Sequence, residues 1–419
     1  MNDRIPAEGK AGRMLITPEN GSAPFYATVT MADEPLQEGT PLNKATLLTD
    51  ETEISLFGSA ANRTVNDAFM GLGAQLKLIM SDMASITVTV KDHVGNPVKN
   101  VLVSGVYSET GSAVYTNASG VASGYIAEGS QTISVKGYAD LSDVSKTITV
   151  VKGSTVTETL TPTRKNFLKV TSSKSIKFSG NVSTIDASVV GAGSGGERAI
   201  ANGDNVMSGA GGSGGFVVTK DGIEVTANEL YPVVIGAAGK GGGQTSTTSK
   251  ATGGGTSSAF GITANGATAG TEAVIGGTNA SSSVSKTGAG NGVGGIGVNG
   301  RSQAAVAGNA GGNGKVLAYI SFTETATLGA GGGSGGTGRK DGGEGGTDGG
   351  GAGGTGVSGS GNVGADATAN TGSGGGGGGG YCYYRGDEGA WLAYGGKGGN
   401  GAAGVVTARI HFDFGDLAA

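Results

Sequence analysis

The uneven distribution of glycine constrains the fold of this chain more than any other sequence feature. Of its 88 glycines, 15 lie in residues 1–164 and 73 in residues 165–419. The second region is therefore about 29% glycine, against roughly 7% in ordinary proteins. Glycine loses more backbone entropy on folding than any other residue. An ordered domain with this composition needs dense backbone hydrogen bonding.

Three physical states compete for the glycine-rich region: a disordered linker, a collagen triple helix, and a packed bundle of extended glycine helices with three residues per turn. Collagen is excluded because glycine does not recur at every third position, and because Pro232 is the only proline after Pro162. Apolar, strand-like segments 184–190 and 405–412 bracket the region. Since two such strands can pair and close one domain, the ordered bundle is favoured over the linker.

Charge and composition argue against several classes of function. The net charge of −5, without a basic stripe, argues against a nucleic-acid partner. Cys382 is the only cysteine, and His93 and His411 are the only histidines, so a cysteine- or histidine-rich metal site is not expected. We therefore expect no metal and no cofactor.

The N-terminal sequence argues against secretion through a signal peptide. It lacks a positively charged segment followed by an apolar one, and no run of about 18 apolar residues occurs anywhere in the chain. We expect no membrane insertion. We also expect a protein made in the cytoplasm that leaves its cell by lysis or within a particle.

Helix signals are confined to residues 1–82. Thr40 and Pro41 suit an N-cap followed by the first helical position, and Asp50 opens a second short apolar run. A third segment carries apolar residues at helical spacing: Val65, Phe69, Leu72, Leu76 and Ile79. We predict a short helical region here.

Residues 83–164 carry about seven short strand-like segments at roughly ten-residue spacing, which predicts a small antiparallel β-sandwich. Residues 86–101 read Ile-Thr-Val-Thr-Val-Lys-Asp-His-Val-Gly-Asn-Pro-Val-Lys-Asn-Val, and residues 116–122 read Thr-Asn-Ala-Ser-Gly-Val-Ala. These segments resemble the carboxypeptidase-regulatory or transthyretin-like sandwich family. The resemblance implies a spacer.

The glycine-rich region has its own resemblance, carried by four segments. These are Val-Val-Gly-Ala-Gly-Ser-Gly-Gly at 189–196, Tyr-Pro-Val-Val-Ile-Gly-Ala-Ala-Gly at 231–239, Gly-Gly-Gly-Thr-Ser-Ser-Ala-Phe-Gly at 253–261, and Gly-Lys-Gly-Gly-Asn-Gly-Ala-Ala-Gly-Val-Val at 396–406. They resemble the glycine-rich domain of phage tail fibre and receptor-binding proteins, including tip adhesins of T-even-like phages. That resemblance implies polyglycine-II helices. An extracellular domain of a receptor tyrosine kinase family shares the glycine pattern.

The N-terminal segment favours the phage resemblance. Residues 38–50, Glu-Gly-Thr-Pro-Leu-Asn-Lys-Ala-Thr-Leu-Leu-Thr-Asp, resemble attachment segments of tail proteins from phages and phage-like particles. The resemblance implies a modular, mainly β chain with three domains. Residues 1–82 would attach to other tail or baseplate proteins, residues 83–164 would be the spacer, and residues 165–419 would bind a bacterial surface glycan or protein. The implied location is the virion tail, and a homotrimer is one open state.

A search for catalytic chemistry leaves no predicted catalytic residue. Residues 191–196 fit the dinucleotide pattern G-x-G-x-x-G after a strand, but residues 197–209 lack the helical period that such a site needs. Neither a Walker A sequence nor H-E-x-x-H is present. Asp387 and Glu388 are one carboxylate pair that a glycosidase could use. We expect a protein that is not an enzyme, and a surface polysaccharide hydrolase is the less favoured alternative.

One aromatic segment stands out within the glycine-rich region. Residues 381–394 hold four of the eleven tyrosines and the only tryptophan. Rings beside polar groups suit stacking on sugars or insertion into receptor pockets. The candidate receptor-binding residues are Tyr381, Tyr383, Tyr384, Arg385, Asp387, Glu388, Trp391 and Tyr394. The alternative is that these rings form the small apolar core of the domain.

Together these features predict a phage tail fibre or tail-tip protein that recognises a bacterial surface receptor during adsorption. A structural tail or baseplate decoration protein is the alternative. Under the first hypothesis the glycine-rich region binds cells, whereas under the second it contributes only to particle assembly or stability.

Overall fold

The computed structural model describes residues 13–16, 23, 25–28, 69–70, 83–202, 205–243, 250–271, 290, 292–301, 306–317, 326–347, 349–357, 362–386 and 390–414. This part of the chain is mainly β, as predicted, and helical geometry occurs in it only at Phe69 and Met70. The strands are, in chain order, β1 (Arg13–Ile16), β2 (Phe25–Thr28), β3 (Ala84–Val90), β4 (Val121–Ile126), β5 (Gly129–Val135), β6 (Val144–Val150), β7 (Thr155–Leu160), β8 (Phe167–Val170), β9 (Lys174–Ile176), β10 (Val182–Val190), β11 (Ile200–Asn202), β12 (Asn205–Met207), β13 (Val217–Glu224), β14 (Tyr231–Val233), β15 (Ser257–Ala259), β16 (Ile262–Ala264), β17 (Asn299–Arg301), β18 (Lys315–Leu317), β19 (Ala326–Leu328), β20 (Gly380–Arg385), β21 (Ala390–Gly395) and β22 (Val405–Phe412).

The chain divides into two compact units, Met1–Ile79 and Met80–Ala419. In the first unit, β1 and β2 pair antiparallel from Arg13–Thr28 to Ile16–Phe25. This hairpin was not predicted from the sequence. Apart from Phe69 and Met70, the predicted helices lie outside the described residues.

The second unit begins with a β-sandwich. Alternation along β3 buries Ala84, Ile86, Val88 and Val90, which join the core of the sandwich. One sheet has the order β4–β3–β7, and β5 and β6 form the other. The predicted all-antiparallel arrangement is wrong in one place, because β3 and β7 are parallel. A parallel pair needs a long connection, and residues 91–154 supply it.

Four antiparallel strands form a second layer, the base sheet, in the order β13–β10–β22–β8. The predicted pairing of the two bracketing segments is confirmed: β10 and β22 pair from Val182–Phe412 to Val190–Val405. Their buried faces pack on the small strands β9, β14, β15 and β16 around a core that includes Phe178, Ile185 and Ile410. The base sheet therefore joins the first and last parts of the glycine-rich region.

The glycine tracts extend from the base sheet as extended segments whose backbones are hydrogen-bonded to one another. In residues 191–199, consecutive backbone N–H groups donate to three different neighbouring segments in turn. Residues three positions apart therefore donate to the same neighbour. One set donates to carbonyls in 210–216, the second to 252–255 and the third to 396–402, at 2.8–3.1 Å. This is the pairing expected of an extended helix with three residues per turn that is surrounded by similar helices.

Glycine is required in the tracts because neighbouring backbones are in direct contact. A Cβ placed on Gly193 would lie 2.0 Å from the carbonyl oxygen of Ser373, and one on Gly212 would lie 2.2 Å from that of Ser194. Ordinary van der Waals contact begins near 3.4 Å. Side chains larger than hydrogen are therefore excluded from the inward positions, which explains the composition of the region.

The tracts run between two ends of the glycine-rich region. Residues 191–199 leave β10 of the base sheet and reach β11, and residues 208–216 return from β12 to β13. We call the end opposite the base sheet the distal end. It carries the three-stranded sheet β11–β12–β17 and the β20–β21 hairpin. Bulky side chains can be presented there without entering the tracts.

The sandwich is joined by polar contacts to segments that flank the strands of the base sheet. The Tyr138 hydroxyl donates to Asn228 Oδ1 at 2.6 Å and accepts the Leu102 N–H at 2.7 Å. Buried Asp140 accepts the Ser179 hydroxyl at 2.5 Å. The two modules thus share one compact unit, and their main apolar cores are separate. The domain boundary at 164/165 stays a prediction.

Candidate functional site

The aromatic segment 381–394 forms a β-hairpin at the distal end. Strands β20 and β21 pair from Gly380–Gly395 to Arg385–Ala390. A Cβ on Gly395 would lie 2.4 Å from the Ala199 carbonyl oxygen, and one on Gly380 would lie 2.4 Å from Val206 Cγ2. The base of the hairpin is therefore in close contact with the residue before β11 and with β12.

Tyr381 belongs to that packed base. It is 8% exposed, and it faces Arg339, whose guanidinium carbon lies 5.8 Å from the ring centroid. Arg339 Nη2 donates to the Tyr381 hydroxyl at 3.3 Å. This arrangement fits the core alternative for Tyr381.

Other members of the predicted site reach solvent. Tyr384 is 49% exposed, Tyr394 is 36% exposed, and Arg385 is also exposed. Tyr381 pairs with Tyr394 across the hairpin, so a buried ring and an accessible ring lie opposite each other in one small element. The hairpin therefore combines one packed ring, Tyr381, with the accessible side chains of Tyr384, Arg385 and Tyr394.

The remaining predicted residues are only partly described. The backbone register pairs Tyr383 with Leu392 and Tyr384 with Trp391. The side chains of Tyr383 and Trp391, and all of Asp387 and Glu388, lie outside the described residues. Their assignment to a receptor site stays a prediction.

Candidate catalytic and metal-binding groups do not converge in the part of the chain that the structure describes. No cluster of three or more His, Cys, Asp or Glu side chains occurs among those residues. Residues 191–199, which begin with the G-x-G-x-x-G match, form an extended tract in place of the helix that a dinucleotide site needs. His93 Nδ1 accepts the Arg164 N–H at 3.3 Å, and His411 Nε2 lies 2.8 Å from Asp186 Oδ2.

Asp186 and His411 lie on neighbouring strands of the base sheet. Burial alone would raise the pKa of Asp186, but the Gly222 N–H at 2.9 Å and the His411 ring hold that pKa below its usual value. The aspartate is therefore kept ionised. The contact ties β10 to both of its neighbours, which is a structural role.

Buried serines within the tracts are a feature that sequence reasoning missed. Ser194, Ser213, Ser334 and Ser373 are fully buried. The Ser194 hydroxyl accepts the Ser213 N–H at 2.9 Å, and the Ser334 hydroxyl accepts the Asn309 N–H at 2.8 Å. These hydroxyls take donors where no carbonyl is in position. Isolated serines inside glycine runs were the available signal.

One comparison with known proteins identifies the glycine-rich domain. A family model described as "Glycine-rich domain" matches residues 169–411. The comparison with curated proteins gave no match. No helix among the described residues is long and apolar enough to span a membrane.

Two solved structures show a weak similarity. One is a DUF3823 family protein from Parabacteroides merdae, at 13% identity and a TM-score of 0.15, covering 37% of this chain and 90% of that one. The other is a DUF3823 family protein from Bacteroides ovatus, at 17% identity and a TM-score of 0.15, covering 36% and 87%. These scores carry no argument about fold or function.

Proposed function

Because this chain belongs to the glycine-rich domain family, with the matched region spanning residues 169–411, we propose that it is a phage tail fibre or tail-tip protein that binds a bacterial surface receptor. In this proposal residues 1–82 attach to other tail or baseplate proteins. The sandwich, residues 83–164, is a transthyretin-like spacer. The tracts form a polyglycine-II bundle whose distal end contacts the host. The protein acts in the virion tail, without catalysis and without a cofactor.

The position of the aromatic hairpin carries the proposal. It lies at the end of the tracts opposite the base sheet, and a segment next to the base sheet contacts the sandwich. Tyr384, Arg385 and Tyr394 are accessible there. Aromatic and arginine side chains are enriched among residues that dominate binding energies at interfaces.

The geometry also favours recognition through loops. Inward tract positions admit no Cβ, so receptor-specific side chains must come from the segments that join the tracts or from outward tract positions such as Lys397. The hairpin is one such segment, since residues 372–379 precede it and residues 396–404 follow it. A rigid scaffold with variable connections is a common arrangement for binding sites.

Cell binding by the fluorescently labelled full chain tests the proposal. The assay uses a panel of candidate bacteria, with intact particles that carry the protein as competitor. The Tyr384→Ala/Tyr394→Ala double variant should lose binding by about tenfold or more, as expected when hot-spot rings are removed. Tyr115→Ala is the matched control, because Tyr115 is 45% exposed and lies on the sandwich.

Each outcome separates the candidate functions. Selective binding that particles compete and the double variant loses supports the adhesin. A folded full chain that binds none of the bacteria, together with particles that fail to assemble without it, supports the structural decoration protein. Release of reducing sugars from host envelopes would support the hydrolase.

A further inference from the structure

The outer face of the β4–β3–β7 sheet in the sandwich is a surface of hydroxyl groups. Alternation along the strands buries one set of side chains and turns the other outward. The register places Thr87 between Ser123 and Thr157, and Ser85 beside Thr155, with Ser85 Oγ donating to Thr155 Oγ1 at 3.1 Å. None of these positions is charged. We call this surface the hydroxyl face.

Two tyrosines lie side by side at the edge of the hydroxyl face. Tyr107 and Tyr125 exchange backbone hydrogen bonds of 2.9 and 2.8 Å. Residues paired in this way project their side chains to the same side of a sheet. Tyr107 is 54% exposed, and the Tyr125 hydroxyl donates to Glu109 Oε1 at 2.7 Å. One ring is therefore open to solvent, and the other is held by a hydrogen bond.

A groove of about 490 Å³ runs between the hydroxyl face and the loop after Tyr107. Its lining includes Thr87, Ser123 and Tyr125 from the sheet, and Ser108 and Thr110 from the loop. The loop is ordered by its own hydroxyl contacts, since Ser108 Oγ donates to the Ser112 carbonyl at 2.9 Å. The groove thus offers hydrogen-bond donors and acceptors beside an aromatic surface.

We propose that the hydroxyl face and its tyrosines bind a neutral glycan chain. A sugar ring presents apolar C–H faces, which stack on aromatic rings, and hydroxyl edges, which exchange hydrogen bonds with serine, threonine and carboxylate groups. The groove lining holds one charged residue, Glu109, and no cation. An anionic polymer would meet an unbalanced carboxylate there, whereas a neutral sugar can donate to it.

This site is separate from the distal hairpin, and it does not rest on the proposed receptor function. It assigns a binding role to the module that the sequence predicts to be a spacer. Thr and Ser are common on exposed strands because of their β propensity. The paired tyrosines, the Glu109 carboxylate that accepts the Tyr125 hydroxyl, and the groove together distinguish this face from an ordinary strand surface.

Affinity electrophoresis of the full-chain protein tests the inference. Native gels contain a mixed-linkage β-glucan, a galactomannan or dextran as neutral probes, or alginate as an anionic probe. At least one neutral polymer should retard the protein. Tyr107→Ala should raise the apparent dissociation constant by about tenfold, in line with removal of a stacked ring at a binding hot spot.

Three further variants allow the result to be interpreted. Tyr115→Ala removes a comparably exposed tyrosine that pairs with Leu102, away from the groove, and should bind like the parent. Ser123→Lys blocks the groove from an exposed strand position and should weaken binding even where Tyr107→Ala proves unstable. Tyr384→Ala tests the distal hairpin and should leave this retardation unchanged.

The inference is overturned by retardation with alginate alone, by none with any neutral probe, or by equal retardation of parent, Tyr107→Ala and Ser123→Lys. Loss of retardation in Tyr384→Ala only would assign glycan binding to the distal hairpin, which also overturns it. These results can be told apart from failure of the proposed function, because that function is tested separately by cell binding with the hairpin variants.

Discussion

Substitution of a single inward glycine should severely destabilise the glycine-rich region. In Gly212→Ala, the new Cβ would lie 2.2 Å from the Ser194 carbonyl oxygen, where ordinary contact begins near 3.4 Å. The two tracts must then separate by about 1 Å. The adjacent hydrogen bonds from the Ser194 N–H to the Ser213 carbonyl and from the Ser213 N–H to the Ser194 hydroxyl, both 2.9 Å, would be lost.

The magnitude follows from those lost bonds. Leaving a buried donor or acceptor without a partner costs about 1–3 kcal/mol, and overpacking a dense interior costs a similar amount. The smaller entropy of alanine in the unfolded chain offsets about 0.4–1 kcal/mol. The free energy of unfolding should therefore fall by about 3–6 kcal/mol, a large part of the ~5–15 kcal/mol that stabilises ordinary proteins.

Calorimetry and urea unfolding of the full chain measure this loss. Gly386→Ala is the matched control, because Gly386 lies in the hairpin and a Cβ there has no neighbour within 4 Å. It should change stability by less than about 0.5 kcal/mol. A Gly212→Ala protein that loses less than about 1 kcal/mol would refute the direct backbone contact.

Three further substitutions test polar contacts through the same unfolding measurements. Ser194→Ala removes the acceptor of the Ser213 N–H and should cost about 1–3 kcal/mol, whereas an unchanged midpoint would show that another group replaces it. Burial raises the pKa of Tyr138 to about 12. The stability that its neutral hydroxyl contributes is therefore complete below pH 10 and should decline as pH rises from 10 to 12. Tyr138→Phe should remove that part of the loss of stability at alkaline pH. The lowered pKa of Asp186 gives stability above the ordinary carboxyl pKa that is lost as pH falls below about 4, and Asp186→Asn should flatten this acid dependence in urea midpoints taken from pH 3 to 6.

The strands that bracket the glycine-rich region could be predicted because their apolar residues form continuous local patterns. Segments 184–190 and 405–412 were identified in this way, and they pair as β10 and β22. Strand β13 was missed, because it is an edge strand of the base sheet and most of its residues are exposed. Its place beside β10 is set by long-range pairing and not by its own pattern.

The connections between tracts could not be predicted for a related reason. Every glycine triplet offers the same N–H and C=O groups, so the local sequence does not specify a partner. Gly193 donates to Ala402 and Gly196 to Gly399, and these pairings depend on the positions of the surrounding tracts. The ordered bundle was predicted from the apolar strands that bracket the region, whereas the order of neighbouring tracts required the structure.

The aromatic segment was recognised, but the division of its rings was not. Sequence alone left core and receptor contact open for the aromatic rings of the segment. The structure buries Tyr381 beneath Arg339 and exposes Tyr384 and Tyr394. Burial of a ring here depends on Arg339, which lies in a distant part of the sequence, and so no local pattern could have separated the two groups.

The bundle explains how such a hairpin can be carried without disturbing the fold. The tracts on either side of it bond directly to each other, through Gly396 to Gly379 at 2.8 Å, Gly399 to Gly376 at 2.7 Å and Ala402 to Ser373 at 2.7 Å. These backbone bonds fix both ends of the hairpin and do not depend on the side chains at its tip. Since the inward glycines exclude side chains and the ends are fixed by backbone alone, the distal segment can change its surface chemistry at little cost to the bundle. That separation of scaffold from surface is compatible with the receptor-binding role that we propose.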